Sequence, residues 1–158
     1  MIVVLMGVSG SGKTTIGELV AKRLGWRFIE GDEFHPPENV AKMKAGVPLE
    51  DADRWPWLAR LNKELREKTD AILACSALKA SYRERLAQGI DRFITVYLDG
   101  DFALINERMK SRHHRYMPAA LLESQFAALE PPADAIRVDV AADPSSCVAL
   151  IHRRLQEQ

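Results

Sequence analysis

The sequence predicts a three-layer α/β fold, in which a parallel five-stranded sheet lies between helices on both faces. Short apolar runs alternate along the chain with segments in which apolar residues recur at helical spacing. In addition, a glycine-rich loop joins the first apolar run to the first helical segment. The predicted strands are 2–6, 27–30, 71–75, 93–98 and 136–140. The predicted helices are 13–24, about 37–45, 54–69, 79–88, 101–112, 118–128 and 145–156.

The first strand and helix carry the clearest signals. Residues 2–6 (Ile-Val-Val-Leu-Met) form an unbroken apolar run, which is typical of a strand buried on both faces. After the loop, Ile16, Val20 and Leu24 recur at helical spacing, and Gly25 supplies a helix end. The later elements repeat this alternation, without an internal repeat or a linker. We therefore expect a single domain over residues 1–158.

The loop between these two elements has the pattern of a phosphate-binding loop. Residues 7–14 read Gly-Val-Ser-Gly-Ser-Gly-Lys-Thr, which matches G-x-x-x-x-G-K-[ST]. Glycines allow the backbone N–H groups to point at phosphate oxygens, and the helix adds its positive N-terminal end. Lys13 is expected to reach the β- and γ-phosphates of a nucleoside triphosphate, and the Thr14 hydroxyl to bind Mg²⁺. The residues expected to bind the nucleotide are Gly7, Val8, Ser9, Gly10, Ser11, Gly12, Lys13, Thr14 and Thr15. An ordinary Gly/Ser-rich turn before a helix is the alternative.

Composition excludes several classes of partner. The chain has 22 basic and 22 acidic residues, so no net field attracts nucleic acid or an anionic membrane. Its apolar runs are far shorter than the roughly 20 residues needed to cross a bilayer, and its N-terminus enters the first strand without a signal peptide. Cys75 and Cys147 lack zinc-site spacing and are interpreted as reduced thiols. We therefore expect a cytoplasmic protein.

A carboxylate follows the second predicted strand, in Glu30-Gly31-Asp32. Ligands of parallel α/β sheets bind at the carboxyl ends of the strands, so Asp32 is a candidate to accept a proton from an attacking hydroxyl or to help order Mg²⁺. Its alternative is a turn or cap residue before Pro36. The third strand is followed by no acid, and residues 62–65 (Asn-Lys-Glu-Leu) do not match the guanine-reading Asn-Lys-x-Asp. Both facts disfavour a switch GTPase.

Several further motifs resemble those of the bacterial gluconate kinases. They are residues 31–36 (Gly-Asp-Glu-Phe-His-Pro), 42–49 (Lys-Met-Lys-Ala-Gly-Val-Pro-Leu), 51–58 (Asp-Ala-Asp-Arg-Trp-Pro-Trp-Leu), 75–79 (Cys-Ser-Ala-Leu-Lys) with Tyr82-Arg83, and 124–126 (Ser-Gln-Phe). The resemblance runs from the first strand to about residue 132. It implies a P-loop kinase fold similar to those of adenylate and shikimate kinases, a small helical lid at about 108–128, and a homodimer. It also implies ATP-dependent phosphorylation of D-gluconate to 6-phospho-D-gluconate, with ATP and Mg²⁺ as cofactors.

A pocket for a sugar acid needs a cation for the carboxylate and hydrogen-bonding side chains for the hydroxyls. The candidates for substrate binding are Asp32, His35, Lys42, Asp53, Arg54, Lys79, Arg83 and Gln125. Asp53 also suits an N-cap for a helix beginning at Arg54, and Arg54 also suits an ion pair with Asp51 or Asp53. Lys79 and Arg83 fall at i and i+4 on one predicted helical face, for which a solvated basic stripe is the alternative.

Arg108, Arg112 and Arg115 lie at i, i+4 and i+7 on the predicted helix 101–112 and just beyond it. In phosphoryl transfer, arginines of a closing lid spread the charge of the transferred group, so Arg108 and Arg112 are candidate catalytic residues. A solvated helix face is the alternative. Residues 112–116 (Arg-His-His-Arg-Tyr) depart from the Arg-Lys-Gly-His-Phe that most members of the resembled family show.

The sequence thus predicts a small-molecule kinase whose base is Asp32. Two alternatives stay open. One is a shikimate-kinase-like or nucleoside monophosphate kinase that acts on another acceptor. The other is a nucleotide-dependent binding module, which would show slow basal hydrolysis without stimulation by sugar acids.

Overall fold

The computed structural model describes residues 1–111 and 119–158 of the chain. In that part, five strands and seven α-helices alternate. The strands are β1 (Ile2–Met6), β2 (Arg27–Glu30), β3 (Ala71–Ala74), β4 (Phe93–Asp99) and β5 (Ile136–Asp139). The helices are α1 (Lys13–Leu24), α2 (Pro37–Lys44), α3 (Asp51–Arg66), α4 (Ala80–Ala87), α5 (Phe102–Lys110), α6 (Ala119–Ala128) and α7 (Pro144–Gln156), and a 3-10 turn covers Gly31–Phe34.

The strands form one parallel sheet in the order β2-β3-β1-β4-β5. The central strand, β1, pairs Val4 with Leu73 of β3 on one side and with Thr95 of β4 on the other. Because all strands run in the same direction, the loops after β1, β2 and β3 emerge at one edge of the sheet. The predicted parallel five-stranded sheet is confirmed.

Two apolar clusters cover the two faces of this sheet. On one face, Val3 and Leu5 of β1 pack with residues of α1 and α7, including Val20 and Ile151. On the other face, Ile2, Val4 and Met6 pack with residues of α3 and α4. Since successive strand residues point to opposite faces, an apolar residue at every position of β1 is what a middle strand with helices on both sides requires. The predicted three-layer arrangement is confirmed.

The start of α3 differs from the prediction. The helix begins at Asp51, three residues before the predicted start, because Glu50 is its N-cap in a capping box. In this box the carboxylate of Asp53 accepts from the backbone N–H of Glu50 at 2.8 Å. Asp53 is therefore the third residue of the helix, and the alternative in which it is the N-cap of a helix from Arg54 is wrong.

Two other predicted boundaries were also displaced. Helix α4 begins at Ala80, and Lys79 before it is an extended N-cap residue (φ −99°, ψ 149°). The two side chains have different partners, because Lys79 donates to Asp51 and Arg83 donates to backbone carbonyls. Helix α5 begins after Asp101, whose carboxylate accepts from the N–H of Leu104 at 2.8 Å. The predicted residues Arg112 and Arg115 lie outside the described part of the chain.

Cys75 and Cys147 are both buried and free of disulfide bonds. Burial raises the pKa of the Cys75 thiol to about 12, so it stays protonated at neutral pH. Among residues 1–111 and 119–158, no helix has the length and apolar character needed to cross a bilayer.

Candidate active site

The loop between β1 and α1 is built around backbone conformations that glycine favours. Gly10 and Gly12 have φ of 83° and 100°, in the left-handed region. A Cβ at Gly10 would lie 2.6 Å from the Sδ atom of Met109 in α5, so a side chain there would force Met109 to move. Lys13 folds back over the loop, and its Nζ donates to the carbonyls of Gly7 at 3.0 Å and Val8 at 2.9 Å.

The same loop presents unused hydrogen-bond donors at the start of α1. Within the described residues, the backbone N–H groups of Gly12, Lys13 and Thr14 have no protein acceptor. The Ser11 hydroxyl is buried and also without a partner there. Buried donors are costly when unpaired, and a helix N-terminus favours an anion. The loop therefore fits a phosphate group, as the sequence predicted.

A cavity of about 280 Å³ lies beside the loop, with Thr15 and Arg108 among its lining residues. Arg108 extends from α5, and its Nη2 donates to the carbonyl of Val140 at 2.5 Å. This contact holds the guanidinium between α5 and the loop that follows β5. Ser11 and Gly12 also line this cavity, so it offers space for the rest of a nucleotide next to the loop.

Carboxylate oxygens lie next to the Thr14 hydroxyl. Thr14 donates to Oε2 of Glu30, the last residue of β2, and Oε1 of Glu30 accepts from the N–H of Asp32 at 3.4 Å. Hydroxyl and carboxylate oxygens are the donor type that Mg²⁺ prefers. In the described part of the chain, no group of three or more His, Cys, Asp or Glu side chains comes together as a metal site. Sequence reasoning missed Glu30, although its place at a strand end was a usable signal.

Asp32 is an accessible carboxylate close to Lys13. Its side chain is 73% exposed. Burial lowers the pKa of Lys13, and the charge of Asp32 is the strongest influence that opposes this, ahead of Cys75 and Glu30. The charge of Asp32, which follows β2, therefore reaches Lys13 at the start of α1.

His35, by contrast, is buried behind Asp32. Its ring stacks on Trp57 at 4.0 Å with an interplanar angle of 18°, and its Nε2 lies 3.8 Å from Oδ1 of Asp32. Burial lowers the pKa of His35 to about 4, although Asp32 opposes this shift; the charge of Arg54 lowers it further. The imidazole is therefore neutral at pH 7.

Lys42 and Asp53 are brought together, and they bind each other. Lys42 Nζ lies 2.8 Å from Oδ2 of Asp53, and this ion pair joins α2 to the first turn of α3. The hydrogen bond from Lys42, followed by that from the N–H of Glu50, lowers the pKa of Asp53, and the bond to Asp53 raises the pKa of Lys42. Both of these predicted substrate residues thus have protein partners.

A second cavity, of about 430 Å³, lies between the start of α3 and the helix α6. Arg54 and Lys79 line it, together with segment 48–52 and residues Ser124 and Ala128. Lys79 Nζ lies 3.1 Å from Oδ1 of Asp51, and Glu50 also lines the cavity, so two cations and two carboxylate residues surround it. An oxyanion would find charge-assisted donors here.

The Tyr82 hydroxyl links two of these charged residues, Asp51 and Arg54. Its hydroxyl donates to Asp51 and accepts from Nη1 of Arg54 at 3.1 Å, while the Arg54 guanidinium lies 5.2 Å from the ring centroid. Arg54 also donates to the carbonyl of Leu49 at 2.6 Å. Sequence reasoning considered Asp51 only as a partner for Arg54 and gave Tyr82 no role. The position of Tyr82, three residues after Lys79, was the available signal.

Two predicted substrate residues lie elsewhere. Arg83 donates to the carbonyls of Ala77 at 2.8 Å, Leu78 at 3.1 Å and Glu130 at 2.9 Å, and it lines a different hollow. Gln125 of α6 contacts the phosphate loop, because its Oε1 accepts from the N–H of Ser9 at 2.7 Å and its Nε2 lies 3.0 Å from the Ser9 hydroxyl.

The sequence is similar to those of known kinases. Residues 9–130 match the shikimate kinase family. The thermosensitive gluconokinase of Escherichia coli K12 is 47% identical over 148 residues, which cover 89% of this chain and 79% of that protein. The gluconokinase of Gluconobacter oxydans is 47% identical over 98% of this chain and 91% of its own.

Solved structures agree with these sequence relatives. The crystal structure of a gluconokinase from Sinorhizobium meliloti superposes with a TM-score of 0.92 at 42% identity, covering 98% of this chain and 91% of that one. Shikimate kinase from Aquifex aeolicus has a TM-score of 0.61 at 24% identity, which establishes a shared fold. The predicted P-loop kinase fold is confirmed by both.

Proposed function

The chain belongs to the gluconokinase family, and from this premise we propose that it transfers the γ-phosphoryl group of ATP to D-gluconate. The observation that carries the proposal is the 47% identity to gluconokinases over most of the chain. In the reaction, an oxygen of gluconate bonds to the γ-phosphorus as the bond to the bridging oxygen of ADP breaks. The products are ADP and 6-phospho-D-gluconate, and the hydroxyl proton passes to a base.

We assign the nucleotide to the loop after β1. The free N–H groups at the start of α1 and the Lys13 ammonium bind the phosphates, and the residues around the 280 Å³ cavity hold the rest of the nucleotide. Thr14 is the proposed Mg²⁺ ligand. When bound, Mg²⁺ neutralises charge on the β- and γ-phosphates.

Asp32 is the proposed base. Its exposed carboxylate, its proximity to Lys13 and its place after β2 support this assignment. A carboxylate within hydrogen-bond reach of the attacking hydroxyl takes its proton as the oxygen bonds to phosphorus. This role of Asp32 therefore requires that a gluconate hydroxyl bind within hydrogen-bond distance of its carboxylate.

The cavity of about 430 Å³ is the proposed gluconate site. Arg54 and Lys79 are suited to bind the carboxylate of a sugar acid, because both line the cavity and carry positive charge. Lys42 and Asp53 are proposed to contact hydroxyl groups at its rim. The three carbonyl partners of Arg83 and the Ser9 contacts of Gln125 support a structural contribution from these two residues.

The region 108–128 is proposed to close over the bound substrates, within a single domain formed by residues 1–158. Support comes from both of its described ends, because Arg108 lines the nucleotide cavity and Gln125 contacts Ser9 of the phosphate loop. Arg108 and Arg112 are the proposed stabilisers of transferred charge, and Arg112 lies outside the described residues.

We further propose that the protein acts in the cytoplasm as a homodimer. The two free and buried thiols suit a reducing compartment, and the dimer follows from the family resemblance. Light scattering coupled to size-exclusion chromatography would measure the mass of the particle, and a mass near the 17.7 kDa of one chain would exclude the dimer.

The substrate is tested by coupled detection of ADP with a panel of acceptors. We expect release of ADP with gluconate and much less with shikimate, AMP or other sugar acids. Preference for shikimate would support the second candidate, which the family match over residues 9–130 favours. Slow hydrolysis that no acceptor stimulates would support a nucleotide-dependent binding module.

A further inference from the structure

We propose that His35 is a positioning residue that orients the Asp32 carboxylate through its Nε2–H group, and that Asn39 selects the tautomer that carries this proton. The inference deepens the proposed function and rests on it, since Asp32 is the base in that reaction. It replaces the sequence-based expectation that His35 binds the substrate directly.

The orientation of the Asn39 side chain is determined by a backbone carbonyl. Asn39 is buried, and its Nδ2 lies 2.8 Å from the carbonyl oxygen of Asp53. If the amide were rotated by 180°, two acceptor oxygens would face each other at this distance without a proton between them. The NH₂ group of Asn39 therefore points towards Asp53 and also towards His35.

The same NH₂ group determines the His35 tautomer. Asn39 Nδ2 lies 3.1 Å from Nδ1 of His35, and its second proton is directed at that nitrogen. Nδ1 must then accept, so the single proton of a neutral ring is on Nε2. The ring is neutral at physiological pH, because burial lowers the pKa of His35 to about 4.

The plane of the ring is fixed by Trp57. The two rings stack at 4.0 Å and 18°, and Trp57 Nε1 donates to the carbonyl of Gly31 at 2.8 Å. Trp57 thus anchors the backbone immediately before Asp32 and the ring that faces the Asp32 side chain. A 180° flip of the ring would keep this stack but would replace Nδ1 by a carbon and lose the contact with Asn39, so the stack and that contact together keep Nε2 facing Asp32.

His35 Nε2 lies 3.8 Å from Oδ1 of Asp32, so a small rotation of the Asp32 side chain would bring the two atoms within hydrogen-bond distance. The Asp32 side chain is 73% exposed and free to rotate, and catalytic hydrogen bonds commonly tighten when substrate is present. A neutral N–H orients the carboxylate while lowering its basicity less than a cation at this position would. This is an advantage for a group that must accept a proton.

The tautomer can be measured directly in the unliganded protein. Long-range ¹H–¹⁵N correlation spectra of histidine-labelled protein distinguish a protonated ring nitrogen from an unprotonated one, and the His35 signals are assigned by their loss in His35→Gln. We expect the proton on Nε2. A proton on Nδ1 would overturn the inference. Asn39→Leu, which has no donor, is expected to shift His35 towards the Nδ1–H form, and an unchanged Nε2–H signal would show that Asn39 does not select the tautomer.

The effect on catalysis is tested with two matched variants. Gln places an amide N–H near the position of Nε2, whereas Asn reaches only the position of Nδ1. We expect His35→Asn to lower kcat by about 10²-fold through misplacement of the base, with KM for ATP and gluconate nearly unchanged, and His35→Gln to lose much less. Both variants lose the stack on Trp57, so thermal unfolding of each separates stability from positioning.

Equal kcat in the two variants, at comparable fractions of folded protein, would overturn the inference while the wild type still phosphorylates gluconate. A wild type that releases no ADP with gluconate would instead defeat the proposed function. The tautomer measurement is independent of that outcome, because it requires neither nucleotide nor acceptor.

Discussion

The charged residues of the site differ in whether they already have hydrogen-bond or ion-pair partners within the protein. Lys42 and Asp53 bind each other at 2.8 Å, and Arg83 is surrounded by carbonyl oxygens. Asp32 remains an exposed carboxylate, and in residues 1–111 and 119–158 the Lys13 ammonium donates to two loop carbonyls. Groups whose partners are weak or distant are available to a substrate, so the mechanism is tested best at Asp32 and Lys13.

Replacement of Asp32 by Asn keeps the size of the side chain and removes its basicity. If Asp32 accepts the gluconate proton, the rate of the chemical step should fall by about 10²–10⁴-fold with ATP affinity little changed. Single-turnover phosphorylation across a Mg²⁺ titration measures this, because rescue at high Mg²⁺ would instead indicate that Asp32 orders the metal. Glu33→Gln in the same 3-10 turn is the matched control and should be near wild type. Normal rates of Asp32→Asn at every Mg²⁺ concentration would leave Asp32 as a turn residue.

Lys13→Ala removes an ammonium that serves phosphate charge. We expect a loss of several kcal/mol of transition-state stabilisation, measured as kcat/KM, with the fold retained. Lys22→Ala is the control, because Lys22 is exposed on the same helix. Turnover near that of the wild type with unchanged ATP dependence would contradict the assignment of the loop.

Among the structural elements, the start of α4 is bonded to the segment after α6 by Glu130 and by Arg83, which the sequence assigned to substrate binding. Glu130 accepts through its side chain from the N–H of Ala80 at 2.8 Å and donates its own N–H to the carbonyl of Leu78 at 2.8 Å. Arg83 adds its bonds to Ala77, Leu78 and Glu130. Ala77 has a φ of 43°, a left-handed conformation that these contacts hold in place.

Arg83→Met tests whether this residue is structural. Because Met removes the Arg83 donor from three carbonyls, of which that of Leu78 keeps the N–H of Glu130, we expect a loss of about 1–3 kcal/mol in the free energy of unfolding. We expect kcat and KM for gluconate to change little in the folded fraction. Arg85→Met is the control, since Arg85 of the same helix bonds only the side chain of Gln88 in the described residues. A rise in KM for gluconate without loss of stability would restore the sequence-based role.

Helices α5 and α6 are where closure of the proposed lid is measured. Hydrogen exchange of amides in 102–110 and 119–128 should slow when an ATP analogue and gluconate are added together. Residues 60–66 of α3, which end beside Arg92 at the opposite edge of the sheet, serve as an internal control and should not respond. Equal exchange in both states would contradict the lid and would favour the alternative that Arg108, Arg112 and Arg115 belong to a solvated helix face.

The stability of the whole molecule should depend on pH through His35. Its pKa is about 4 when folded and about 6.5 when unfolded. Between these values the unfolded chain binds a proton that the folded chain does not, so stability is lost as the pH falls from 6.5 towards 4. The lowered pKa values of Asp51 and Asp53 place their titration below this window. The Tm of the wild type should therefore fall more between pH 7 and pH 5 than that of His35→Gln, whereas parallel curves would contradict this.

At this same scale, local sequence patterns were sufficient for the sheet and for the phosphate loop. The all-apolar β1 requires cover on both faces, and the loop glycines with Lys13 and Thr14 specify an anion site from neighbours in the chain alone. The position of Asp32 directly after a predicted strand also indicated that it lies at the ligand-binding end of the sheet. Each of these signals lies within a few residues, which is the range over which periodicity and backbone conformation act.

The ion-pair and hydrogen-bond partners of the predicted gluconate-binding residues were decided only by the tertiary structure. Asp53 binds Lys42 across 11 positions, Lys79 binds Asp51 across 28, and Arg83 reaches Glu130 across 47. The sequence by itself determined the fold, the loop and a supply of charged residues, but it left open which cation faces the cavity and which one supports a turn. Those choices depend on distances between residues far apart in the chain, because the strength of a hydrogen bond or ion pair is set by separation in space.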